Sequence, residues 1–260
     1  MSETTQIGRF VWRDLMTTDP EKAEAFYSGL FGWSVNPVDM GNLTYRMLRN
    51  GETDFGGIVD INEVAAGQGI PPHWVSYINV PNVDETTAKV TQLGGKVHLQ
   101  PTDIPGVGRF AVAEDPTGAV FQPFQDSSGE APPETNGVPS VGGITWNELQ
   151  TSDVEAAKAF YAGLVGYGLD SMTMGDGPPY SMFKRGERME GGVWQKPDTL
   201  PMSTWIIYYC VADIDQSVAD VNKFGGAIVG EVMEVPTIGR MAWATDPTGA
   251  LFAIHEPAPV

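Results

Sequence analysis

Cysteine is almost absent from these 260 residues: Cys210 stands alone. A single thiol forms no intrachain disulfide, and cysteine-rich zinc and iron–sulfur sites are excluded with it. Histidine is scarce too, confined to His73, His98 and His255. Positive charge is in short supply, with 15 Lys and Arg against 33 Asp and Glu and a net charge of −18. Such a chain repels phosphate backbones and anionic lipid, so neither nucleic acid nor a membrane is an expected partner. No apolar run reaches the roughly 20 residues that span a bilayer. The opening residues hold no basic segment followed by an apolar one, and the expected location is cytoplasmic.

What the chain does have is apolar content and turns. Hydrophobic residues make up 42% and charged residues 18%, which favours a packed core over disorder. The 31 glycines and 20 prolines favour a sheet-rich chain over a helical bundle. An internal repeat organises these residues. Residues 10–19, FVWRDLMTTD, match residues 144–153, ITWNELQTSD, in the frame Trp-x-acid-Leu-x-Thr-x-Asp. Phe26-Tyr27 answers Phe160-Tyr161, and Gly56-Gly57 answers Gly191-Gly192. The closing segments, GRFAVAEDPTGAVF at 108–121 and GRMAWATDPTGALF at 239–252, agree at ten of fourteen positions. Between the copies, a stretch of Ser, Gly, Pro, Glu and Asn reads as a solvated linker. The expected organisation is a first module over 1–126, a linker over 127–140 and a second module over 141–260.

Each module reads as βαβββ twice over, an α+β class. Asp19 and Pro20 start a first helix that Gly32 ends, and a second helix over about 83–93 stops at Gly94-Gly95. Alternating segments around it read as strands, and Asn50-Gly51 and Asp115-Pro116-Thr117-Gly118 read as turns. In the second module Asp153 and Asp215 are the expected helix caps.

The first strand, the following Asp-x-x-x-Ala-x-x-Phe-Tyr-x-x-Leu-x-Gly and the closing Asp-Pro-Thr-Gly turn together resemble the vicinal oxygen chelate superfamily. That group comprises glyoxalase I, bleomycin-resistance proteins and extradiol dioxygenases. The finer pattern is similar to actinobacterial two-module proteins often labelled hydroxylases. The resemblance implies glyoxalase-like, cup-shaped curved sheets in two tandem modules, and in the metalloenzymes a divalent ion held by His and Glu. Carried over residue by residue, the metal-ligand positions fall on Trp12, near Val75 and on Gln122 in the first module. In the second they fall on Trp146, near Ile206 and on Ala253. The fourth-strand acid falls around Gly56 and Gly191. No metal and no cofactor is therefore expected. No Gly-x-Gly-x-x-Gly follows a strand to hold a flavin or nicotinamide.

Strand alternation selects what would line the cups. Trp12, Trp146, Tyr77, Tyr208, Gln122 and Phe124 are the candidate substrate-binding residues, and Asp14, Glu148 and His255 the candidate catalytic ones. Arg109 and Arg240 are candidate structural partners of the two acids. Cys210 reads as a buried, inert thiol. Met172, Met174, Met182, Met189 and Met202, with Pro178-Pro179-Tyr180, would make a hydrophobic lid or simply fill core gaps. An aromatic, acidic cup suits a small aromatic or cationic organic molecule. The expected function is binding of such a molecule by a monomer or homodimer. The alternatives are a metal-independent enzyme using acid–base chemistry on an organic, secondary-metabolite-like substrate, and a metal-dependent lyase or dioxygenase.

Overall fold

The computed structural model describes residues 7–41, 43–127, 139–173 and 179–259. The first repeat runs β1 (Phe10–Thr17), α1 (Pro20–Phe31), β2 (Ser34–Asp39), β3 (Thr44–Asn50) and β4 (Thr53–Asp60). After a one-turn helix, α2 (Ile61–Val64), it continues with β5 (His73–Asn79), α3 (Val83–Gln92), β6 (Lys96–Ile104), β7 (Gly108–Glu114) and β8 (Val120–Asp126). The second repeat follows the same plan: β9 (Ile144–Thr151), α4 (Val154–Val165), β10 (Gly168–Met172), β11 (Tyr180–Arg185), β12 (Arg188–Gln195), β13 (Thr204–Cys210), α5 (Ile214–Lys223), β14 (Ala227–Val235), β15 (Gly239–Thr245) and β16 (Leu251–Pro257). The linker lies largely outside the described residues.

Local chemistry explains the helix ends. Asp19 accepts a hydrogen bond from the Lys22 amide at 3.1 Å, Pro20 opens α1, and Gly32 closes it at φ 72°. Asp153 and Gly166 do the same for α4. In α5 the cap is Asp213, not Asp215 as the sequence suggested. Asp213 has the extended backbone of a cap and accepts from the Gln216 amide at 2.9 Å. Asp215 lies inside the first turn, where Arg240 grips its carboxylate at 2.8 and 2.9 Å. The unexpected α2 starts on Asp60, which accepts from the Asn62 amide at 2.8 Å.

Each repeat forms one mixed eight-stranded sheet, in the orders β2-β3-β4-β1-β5-β8-β7-β6 and β10-β11-β12-β9-β13-β16-β15-β14. Within each βαβββ unit the first and last strands pair in parallel, as β1 with β4 and β5 with β8, and the hairpins pair antiparallel. Sheets follow the repeats, but compact packing does not. One unit comprises the described residues up to Trp12, Ser76 to the end of β8, and Trp146–Trp205. Its core joins Ile78, Val90 and Phe121 of the first repeat to Phe160, Tyr161, Phe183 and Trp205 of the second. The other comprises Arg13–Val75, the described residues up to Thr145 that lead into and begin β9, and Ile206 onward. Its core joins Leu15, Phe26, Tyr27, Trp33 and Trp74 to Tyr209, Ile214 and Phe252.

Both cores enclose a polar chain. In the second, Trp74 Nε1 donates to the Tyr27 hydroxyl at 2.9 Å, and that hydroxyl donates to Asp246 at 3.1 Å. In the first, Trp205 Nε1 donates to Tyr161 at 2.9 Å. Asp115, in the turn equivalent to that of Asp246, accepts from the Thr117 amide, the Thr117 hydroxyl and the Ala119 amide. Burial raises the Asp115 carboxyl above its ordinary range despite these donors. The Asp-Pro-Thr-Gly signature is thus a buried folding device: the aspartate satisfies its own turn from inside the core.

Candidate functional site

Core membership decides which way each strand faces. Leu15 and Leu149 enter the cores, so Asp14 and Glu148 lie on the opposite sheet face. In parallel register Asp14 stands beside Gly57, and Glu148 beside Gly192. These two glycines, rather than Gly56 and Gly191, share the face of the acids. A Cβ on Gly192 would fall 1.7 Å from the Tyr180 hydroxyl oxygen, and one on Gly57 would fall 2.1 Å from that of Tyr45. Each glycine is empty space over which a tyrosine leans.

The tyrosine reaches the acid. Tyr180 donates to Glu148 Oε2 at 2.7 Å, and Tyr45 donates to Asp14 Oδ1 at 2.7 Å. In the second repeat the array is larger. Trp146 Nε1 donates to the Tyr180 oxygen at 2.8 Å, and Gln150 Nε2 donates to Glu148 Oε1 at 2.6 Å. Trp194 lies on Tyr180 with ring centres 5.5 Å apart. Burial, and next the charge of Glu148, hold the Tyr180 phenol well above its ordinary range, so it stays protonated and works as a donor. The sequence singled out the acids and Trp146 as site candidates, put Tyr180 in a lid and did not single out Tyr45. The signal was there: Tyr45 and Tyr180 lie 135 residues apart, the same offset as Gly57 and Gly192. The arginines suggested as partners are engaged by other acids. Arg109 bonds Asp84 and Asp103, and Arg240 bonds Asp215 with Glu256 at 3.9 Å.

Three other candidates form a second cluster. Tyr77 pairs in register with Gln122, one residue pair from Phe124. The Tyr77 ring meets Phe124 edge-on at 5.8 Å and lies tilted to Phe110 at 6.1 Å. Gln122 is buried at 5% exposure, and among the described residues its Oε1 has no hydrogen-bond partner.

A third group contains His255. Its Nε2 lies 3.2 Å from the Ile238 carbonyl, which only accepts, so Nε2 carries the hydrogen. Nδ1 then accepts from the Thr145 hydroxyl, 3.0 Å away. Thr145 is also 3.2 Å from the Tyr208 carbonyl, and the Tyr208 hydroxyl accepts from Trp243 Nε1 at 3.0 Å. Burial lowers the His255 pKa, which keeps the ring neutral with both nitrogens engaged. Cys210 sits beside His255 in register, and burial pushes its thiol up, away from the thiolate a nucleophile requires. His73 contacts the Pro71 carbonyl, and His98 pairs with Glu114 at the exposed edge. Trp12 is half-buried on β1. Of the supposed lid, Met174 and Pro178 lie outside the described residues, Met202 is exposed, and Tyr180 belongs to the acid cluster.

The residues present do not fit a divalent ion at the positions the resemblance assigns. Val75, Ile206 and Ala253 are buried aliphatic side chains. An acid in place of Gly57 or Gly192 would have to evict a tyrosine. At Gly56 and Gly191 a Cβ would strike the backbone oxygens of Arg13 and Asn147 at 2.3 and 2.7 Å. Among the described residues no three His, Cys, Asp or Glu side chains come together to hold a metal. No helix among them is long and apolar enough to cross a membrane.

A duplicated βαβββ fold with such sheets defines a class, and sequence comparison agrees with it. Residues 6–122 match the family described as the Glyoxalase/Bleomycin resistance protein/Dioxygenase superfamily. The chain is 36% identical over 253 residues to the "Putative glyoxylase CFP32" of Mycobacterium tuberculosis (strain CDC 1551 / Oshkosh), covering 95% of this chain and 94% of that one. It is 31% identical over 271 residues to the anthracycline biosynthesis protein DnrV of Streptomyces peucetius, covering 96% and 93%. The chain belongs to this superfamily. Among solved structures it resembles the Mn(II)-bound glyoxalase of Novosphingobium aromaticivorans, with a TM-score of 0.63, 15% identity, and 98% and 89% coverage. It also resembles the 2,3-dioxygenase LapB of Pseudomonas sp. KL28, with a TM-score of 0.64, 11% identity, and 98% and 94% coverage. At such identities the likeness is one of fold.

Proposed function

We propose that this chain binds a small aromatic organic molecule without a metal, against sheet faces where tyrosine-anchored carboxylates set its orientation. The observation that carries this reading is the Trp146–Tyr180–Glu148–Gln150 array. Both Glu148 oxygens receive a donor, so the acid is held in one orientation as an acceptor. Such a group, among Trp and Tyr rings, suits a planar ligand bearing a donor or a positive charge. The donor set at the family's metal positions supports metal independence. A relative named for anthracycline biosynthesis supports an aromatic ligand.

A second reading, a metal-independent enzyme, is favoured by one feature: the same Tyr–acid pair stands in both repeats, Tyr45 on Asp14 and Tyr180 on Glu148. In such a pair the carboxylate can take a proton from a bound molecule and return it, while the phenol stays protonated and orients both. Native mass spectrometry of protein purified without chelator tests the main reading. A metal-free mass carrying an organic adduct is the expected result, and one divalent ion per chain refutes it. The recovered adduct separates the readings. Returned unchanged after incubation it supports binding; converted by the wild type but not by Tyr180→Phe, it supports the enzyme.

A further inference from the structure

The two repeats are alike at the tyrosine–acid pairs and differ at the closing strands. Tyr77 is matched by Tyr208, but Gln122 is matched by Ala253, Phe124 by His255 and Phe110 by Met241. In the second repeat the polar groups there are satisfied: His255 uses both nitrogens and Tyr208 accepts from Trp243. In the first, Gln122 Oε1 is buried without a partner among the described residues.

An orphaned amide oxygen in a buried site is unfavourable, and nearly all such atoms in folded proteins find a donor. Nothing in the packing requires a polar residue at this point. The other face of β8 carries Phe121 into the core, and the amide's neighbours are Tyr77 and Phe124. The amide oxygen is buried beside these rings, and the half-buried Phe110 ring next to Tyr77 stands between them and solvent. A buried acceptor that lacks a donor, beside Tyr77 and Phe124 on one sheet face, suits a flat molecule that brings its own hydrogen-bond donor.

We infer that Gln122, with Tyr77, Phe110 and Phe124, forms a recognition subsite in the first repeat for an aromatic ligand carrying a ring hydroxyl, whose O–H donates to Gln122 Oε1. This rests on the reading of the protein as a binder of aromatic molecules and narrows it to hydroxyarenes. It also gives the repeats different tasks, since the second has no amide at Ala253.

Three probes test it: 2-naphthol, 2-methoxynaphthalene and naphthalene, titrated against the whole chain by fluorescence or ligand-detected NMR. One buried hydrogen bond corresponds to about tenfold in affinity, so 2-naphthol should bind about tenfold more tightly than its methyl ether. Gln122→Leu should erase most of that preference while leaving naphthalene binding in place. The same variant should raise the thermal midpoint by roughly 2–4 °C, because the fold loses an orphaned acceptor. Gln122→Met repeats the test with an unbranched side chain should leucine pack badly. Equal binding of naphthol and ether by the wild type, as expected where a water alone satisfies the amide, overturns the inference and leaves aromatic binding standing. A preference that persists in both variants overturns it as well. If none of the three probes binds, the aromatic-ligand reading fails, and this inference with it.

Discussion

The bond between Tyr180 and Glu148 can be measured by a double-mutant cycle. Tyr180→Phe removes the hydroxyl that donates to Glu148 and accepts from Trp146. Glu148→Gln keeps the shape and removes the charge. A hydrogen bond to a buried charged acceptor contributes roughly 1.5–3 kcal/mol, against about 1 kcal/mol for a neutral one. Glu148 is buried at 9% exposure, so solvent screens the bond little. Tyr180→Phe should therefore cost about 2 kcal/mol. Trp146 is half-buried, and water can replace its lost acceptor at small further cost. Glu148→Gln should cost about 1–2 kcal/mol, since Gln150 also loses its charged partner.

The coupling is the quantity that decides. If the hydroxyl and carboxylate act on each other as the 2.7 Å distance implies, the double variant should lose at least about 1 kcal/mol less than the sum of the singles. Urea denaturation followed by tryptophan fluorescence supplies the energies, provided the slope is the same for all four proteins. Additivity to within about 0.3–0.5 kcal/mol would refute the pair as an energetic unit. The twin cycle, Tyr45→Phe with Asp14→Asn, should couple with the same sign, because Tyr45 meets Asp14 at the same 2.7 Å.

Two further expectations follow from the same geometry. His255 is held below its ordinary pKa by burial, so acid protonates the unfolded chain first. Its contribution is full above the unfolded value near 6.5 and is lost as pH falls through the lower folded value. His255→Asn should accordingly shrink the stability lost between about pH 7 and pH 5.5, and an unchanged pH profile by denaturant midpoint would contradict the assignment. Asp213→Ala should destabilise by about 1 kcal/mol through loss of the α5 cap, and Asp215→Ala by less, because its exposed pair with Arg240 is screened. Equal thermal shifts would count against the assignment of Asp213 as cap.

How much was legible in advance depended on whether a feature repeats locally. Strand order within each βαβββ unit, the caps at Asp19 and Asp153, and the faces of Asp14 and Glu148 all follow from spacing along one strand or one helix turn. The Asp213 cap was mistaken for Asp215 because both acids stand near the start of α5, and only the backbone shows which one has extended geometry. The pairing of Tyr45 and Tyr180 with the acids was missed for a different reason. Each lies 31 or 32 residues from its acid, and it reaches that acid only because the intervening strand carries a glycine at the crossing. A contact made through an absent side chain leaves no mark in hydrophobic periodicity.

The same glycines bear on how this superfamily's metal positions can change. Placing an acid at one of these positions would ordinarily be a single substitution. Here it is not. To place an acid at residue 192, the Tyr180 ring must leave a space where a Cβ would lie 1.7 Å from its oxygen, and Glu148 and Trp146 then lose their common partner. At residue 57 the same holds for Tyr45 and Asp14. Gly191 and Gly56 are closed by backbone oxygens, which no rotamer relieves. The first-strand positions are taken by Trp12 and Trp146, the latter already donating into the array. An acid at either of these glycines and the tyrosine–acid pair beside it therefore exclude one another. The tyrosine–acid hydrogen bond that closes these positions recurs in both repeats at the same 2.7 Å.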